Sequence, residues 1–177
     1  MRIGRLIAAG VIGGLLMEAY SLFAWFVLPY NKAFFEKIRI SPQLQQIFVE
    51  YAPDLHDGMW TFGDPGSNDP GGLILLYLNG LPPQHWNLLG GTLICVLTGL
   101  AVAWIYAATA GIWAPHPRKG LLFILALGAI ASVPAQFRLA VFAGHPIPFS
   151  LAMAADTIIE FFLLGLVVVA AYRKAPT

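Results

Sequence analysis

Charge is what this sequence has least of. Asp, Glu, Lys and Arg make up 11% of its 177 residues, whereas a soluble domain carries about 25%. Without that polar surface most of the chain cannot face water, and its solvent is lipid. Cysteine is nearly absent as well. Cys95 stands alone, which excludes an internal disulfide or a cysteine-based metal knuckle, and inside an apolar run it reads as a small buried hydrophobe. A net charge of +1 with no Lys/Arg stripe excludes a nucleic-acid footprint. Missing too are a Gly-rich phosphate cradle, a nucleophile elbow and an HExxH helix. No histidine falls within an apolar run, so nothing resembles a bis-histidine haem site. The sequence therefore assigns no catalytic residue, no metal and no cofactor.

What the sequence has in quantity is apolar residues, at 58%. Four runs are long enough to cross a bilayer: 6–28, 88–113, 121–143 and 149–172. The first is longer than a secretory signal core and ends in Trp25, Phe26, Leu28 and Pro29 without a small-residue cleavage site, so it reads as a retained helix. Arg2 and Arg5, Arg118 and Lys119, and Arg173 and Lys174 fall on one side of these runs with no acid among them. The positive-inside rule then puts both termini in the cytoplasm and residues 29–87 outside. Short links make helices two to four antiparallel neighbours. Gly10 and Gly14 form a small-xxx-small pair that admits a close helix, most simply inside the same bundle.

The 29–87 insertion is too long to be a plain connector. Ser41-Pro42 is a helix start, and Leu44, Ile47, Phe48 and Tyr51 share one face of the helix that follows. Met59–Phe62 and Leu73–Leu78 read as strands around a tip of turn formers, a β-hairpin. The expected fold is thus a single all-α membrane domain, a four-helix bundle carrying a small extracytoplasmic helix and hairpin.

Ionisable residues inside membrane spans are candidates for function. There are four: Glu18, Arg138, Asp156 and Glu160. Counting about 1.5 Å per residue from the outer end of each span puts Arg138 at about 6–8 Å, Asp156 at about 10 Å and the two glutamates at about 15–17 Å. On depth, Arg138 pairs with Asp156. Burial and like charge together leave at least one of Glu18 and Glu160 protonated at neutral pH. The set serves either as a structural cross-link, with Arg138 partly snorkelling to the surface, or as a proton or cation site; a metal site is the weaker option. His56, His85 and His145 lie on the outer side and could converge on a metal with Asp57, but they are scattered through loops. His116 is on the inner side.

The stretch Ser21–Tyr30 that closes helix one, the stretch Ala52–Phe62 that leads into a strand, and Pro146–Leu166, where a Pro-aromatic turn enters an Asp-bearing last helix, together resemble a family of small bacterial four-helix inner-membrane proteins. That family usually has tryptophan where this chain has Tyr30. The resemblance implies the four-helix layout with an outer hairpin and brings no activity with it. The expected function is that of a non-enzymatic accessory protein. It would contact the lipid bilayer, and another membrane protein or itself, through the outer insertion and the small-residue helix faces. The alternatives are a small proton- or cation-coupled transporter or channel that uses the buried carboxylates, and a membrane enzyme acting on lipid or quinone at the outer leaflet.

Overall fold

A computed structural model describes residues 3–28, 58–62, 72–76, 84–142 and 147–172. Its elements are α1 (Ile3–Val27), β1 (Gly58–Phe62), β2 (Gly72–Leu76), α2 (Gln84–Ala108), the short α3 (Ala110–Trp113), α4 (Pro117–Phe142) and α5 (Ile147–Tyr172). α1, α2, α4 and α5 are each long and apolar enough to cross a membrane. Their outward faces carry large apolar side chains, with Ile94 66%, Ile130 70% and Val141 72% exposed. Such faces are stable against lipid rather than water. The chain is a multi-pass membrane protein.

The second apolar run does not continue to Trp113 as one helix. It breaks at Thr109, whose Oγ1 donates to the Ile105 carbonyl at 2.9 Å. Ile112 N–H then bonds to the Thr109 carbonyl at 2.9 Å, opening α3. α4 starts at Pro117, where the missing N–H costs a helix nothing. Pro134 lies inside α4. β1 and β2 pair antiparallel, Gly58 opposite Leu76 and Phe62 opposite Gly72. The helix expected after Ser41, the 63–71 tip and the 143–146 link fall outside the described residues.

Packing follows the order α2, α1, α5, α4. α1 packs most extensively on α2 and then on α5, and α5 packs on α4. α2 and α4, expected as close neighbours across their short link, touch only sparsely. The physical reason lies in where the small residues are. The buried stripe of α1 is Ala9, Gly10, Gly13, Gly14, Met17 and Glu18, so its backbone admits a helix on each side. A Cβ on Gly14 would come within 2.5 Å of the Cys95 carbonyl oxygen, and one on Gly10 within 2.7 Å of Leu100 Cα. Gly13 accepts Leu164 of α5. The Gly10–Gly14 pair therefore joins helices within this chain, and Gly99 on α2 answers it.

The core lies toward the end of the molecule that holds residues 3 and 172. Tyr106, Ile124, Leu164 and Val168 are fully buried there. Tyr106 packs on Tyr172 with ring centroids 5.7 Å apart, and Trp113 stacks on Phe123 at 5.0 Å. At this end α2 meets α4, with Tyr106 set against Gly120. Toward the hairpin end the two helices have separate neighbours.

Candidate functional site

The contact between α1 and α2 fixes the first part of the site. Gly10 meets Leu100 and Gly14 meets Val96, an antiparallel register that brings Glu18, one turn beyond Gly14, opposite Thr92. Thr92 Oγ1 lies 3.5 Å from Glu18 Oε1 while bonding the Leu88 carbonyl at 2.9 Å. Cys95 Sγ lies 3.3 Å from Glu18 Oε2. Cys95 is thus more than the small hydrophobe it reads as, because its thiol borders a carboxylate. Space for that carboxylate comes from Gly91, where a Cβ would stand 3.2 Å from Glu18 Oε1. Glu18 is 9% exposed.

The α1–α5 contact supplies the rest. Gly13 against Leu164 sets an antiparallel register that places Glu160 beside Glu18 and Asp156 beside Tyr20. Tyr20 Oη donates to Asp156 Oδ1 at 3.0 Å. Ser21 and the Glu18 and Asp156 carboxylates all lie within reach of Glu160. The three acids are thereby brought to one seam between α1, α2 and α5. Neutral donors stand near each of them: Thr92 and Cys95 at Glu18, Tyr20 at Asp156, and Ser21 at Glu160.

Arg138 does not join them. Its side chain is exposed on α4, and among the described residues it makes no ion pair with Glu18, Asp156 or Glu160. Register explains why. Gly128 packs on Phe161, so Arg138 falls opposite residue 151, about 7.5 Å along α5 from Asp156. Asp156 is also bonded to α1 through Tyr20. Counting from the span ends put the two within about 2–4 Å in depth, but the register of α4 on α5 and the direction around α5 are not set by counting. Ser132 Oγ on α4 and Ser150 Oγ on α5 are buried without a hydrogen-bond partner among the described residues.

The histidine candidates separate from this seam. His116 is exposed on the link before α4, with its carbonyl accepting from Gly120 N–H at 3.0 Å. His56, His145 and the side chain of His85 fall outside the described residues. Among the described residues no group of three His, Cys, Asp or Glu side chains is set to hold a metal ion. Tyr20, Ser21, Thr92 and Cys95 carry no signal in the sequence, since a hydroxyl or thiol in an apolar run is common and only the helix register shows what it faces. Comparison with protein families, curated proteins and solved structures finds no match to this chain.

Proposed function

We propose that the chain binds a proton or small cation at the carboxylates of α1 and α5 and acts as a small coupled transporter or channel. Its setting in this reading is a bacterial inner membrane, with both termini cytoplasmic and the hairpin outside. The supporting observation is that Glu18 and Glu160 share one seam and are contacted there by neutral hydroxyl and thiol groups. A structural cross-link would be served as well by glutamine, which makes similar hydrogen bonds with no ionisable group. Placing an acid at the centre of a span costs up to about 2.5–3.5 kcal/mol on insertion scales, and three acids on one seam add like-charge repulsion. Exchange of a proton or cation gives those acids a use that glutamine lacks.

The test is flux in proteoliposomes between about pH 5 and 8, the range in which perturbed carboxyls titrate. Wild type should conduct or exchange protons or alkali cations. Glu18→Gln and Glu160→Gln should each reduce that flux at least tenfold, about 1.4 kcal/mol in the controlling step. Absence of wild-type flux, or full flux in both variants, removes the reading.

An accessory role has one observation in its favour. From Ile130 to Val141 only Ser132, Gln136 and Ala140 are withdrawn from the surface of α4, leaving most of that half-helix to lipid or to a partner. The glycine face once available for that role is already filled by α2. A stoichiometric partner in mild-detergent pull-downs would support this second reading, and a stable monomer that retains nothing would count against it. The lipid or quinone enzyme reading needs His85 or His145 at Asp156, a placement outside the described side chains.

A further inference from the structure

At the end of the molecule that holds the α2–α4 link, a surface groove of about 440 Å³ opens between the start of α4 and the end of α5. It is lined by Pro117, Arg118, Leu121, Leu166, Val169 and Ala170. A second recess of about 350 Å³ wraps residues Pro115–Lys119 and shares Pro117 and Arg118 with the first. The groove is graded along the helix axes. Arg118 is exposed at its rim, with Lys119 exposed beside it in the adjoining recess, while one turn deeper the lining is Leu121 and Leu166. No Asp or Glu occurs between Asp69 and Asp156 or after Glu160, so no acidic side chain of the α2–α4 link or of the last turns of α5 neutralises the two cations. Arg5 of α1 lies at the same end, close enough to influence Tyr172.

We propose that this groove binds an anionic phospholipid, with its phosphate at Arg118 and Lys119 and an acyl chain against Leu121, Leu166 and Val169. Charge complementarity selects the occupant. A cationic rim at the edge of the spans with an apolar floor one turn deeper matches a molecule that is anionic at one end and hydrocarbon at the other. Soluble anions would use the rim and leave the floor empty, and a zwitterionic lipid would use the floor and gain little at the rim. The inference rests on the four spans lying in a bilayer and does not depend on the carboxylate seam.

The experiment is native mass spectrometry of the full chain in detergent, titrated with phosphatidylglycerol or phosphatidylcholine of the same acyl chains. Each cation near an anionic lipid contributes about fivefold in affinity, so wild type should retain phosphatidylglycerol on the order of 20-fold better. Arg118→Gln combined with Lys119→Gln should bring the two lipids to equal retention. The charge-keeping exchange of Arg118→Lys with Lys119→Arg should preserve the preference. Leu166→Trp, which fills the floor, should weaken both lipids, and excess glycerol 3-phosphate should fail to displace phosphatidylglycerol. Equal retention by wild type, an undiminished preference in the double glutamine variant, or its loss in the charge-keeping exchange would overturn the proposal. So would full lipid binding in Leu166→Trp, or displacement by the soluble phosphate, which would mark a site for free anions. Equal thermal midpoints for wild type and variants confirm that each reading is taken on folded protein.

Discussion

Glu18 stands on the same line of α1 as Gly10 and Gly14, four residues apart at each step, and all three face α2. The two glycines bring the backbones close enough for the third member of the line to meet Thr92 and Cys95. Closing that gap with a side chain should therefore disturb the helix pair and the carboxylate together. In Gly14→Val the first added carbon already falls 2.5 Å from the Cys95 carbonyl oxygen and 2.6 Å from Val96 Cα, backbone atoms that can yield only by moving α2. A loss of at least about 1–3 kcal/mol is expected, the usual range for overpacking, measured as a lowered midpoint of unfolding in sodium dodecyl sulfate. Gly4→Val, with nothing near its Cβ, should leave the midpoint unchanged. Equal midpoints for the two variants would mean that α1 and α2 are not in this register. The acids themselves were legible in the sequence, because a charge inside an apolar run stands out against its neighbours. Their partners were not. Depth along a span follows from counting residues, but facing depends on register, and register here is set by glycines on two separate helices.

At the scale of the element, the second half of α4 is sparsely supported. Past its midpoint it meets α5 along a single stripe, Ser132, Gln136 and Ala140, and Pro134 interrupts the same stretch. Proline removes the donor that would serve the Ile130 carbonyl and crowds the preceding turn. Neighbouring hydroxyls or other helices often compensate within membranes, but this half-helix has only one neighbour among the described residues. Pro134→Ala should thus raise stability, by about 1–3 kcal/mol from helix propensity, read from the same detergent unfolding and from slower amide exchange over residues 134–142. A loss of stability would show that the proline fits α4 to a surface supplied from elsewhere. Sequence alone revealed the proline and the length of α4, since both are local. The end of α2 at Thr109 was hidden, because the apolar run continues through it while a side-chain hydroxyl bonds back to the preceding turn.

For the whole molecule, the four spans were legible because lipid imposes composition over some 20 residues at a time, and no single contact decides it. Their arrangement was less so. Short links place α2, α4 and α5 in sequence, yet α1 inserts between α2 and α5 because its glycine stripe accepts a helix on both sides. Orientation rests on charge. Arg5, Arg118 and Lys119 lie at the end with residues 3 and 172, Arg2, Arg173 and Lys174 adjoin that end in the sequence, and the acids of the 29–87 insertion fall in the sequence between the opposite ends of α1 and α2. Since Cys95 is the only thiol, Cys95→Ser provides a background in which a single new cysteine reports on sidedness. In intact cells a membrane-impermeant thiol reagent should modify Ser67→Cys at once. It should reach Ala114→Cys and Thr177→Cys only after permeabilisation, because the proposed orientation puts the α2–α4 link and the C-terminus together in the cytoplasm. Labelling of Ala114→Cys and Thr177→Cys from outside, with Ser67→Cys protected, would invert the protein. Opposite behaviour of Ala114→Cys and Thr177→Cys would be more damaging, because α4 and α5 then could not both span the membrane. Were α5 the one displaced, Glu160 and Asp156 would leave the bilayer, and the carboxylate seam would lose the low-dielectric setting on which its proposed chemistry depends.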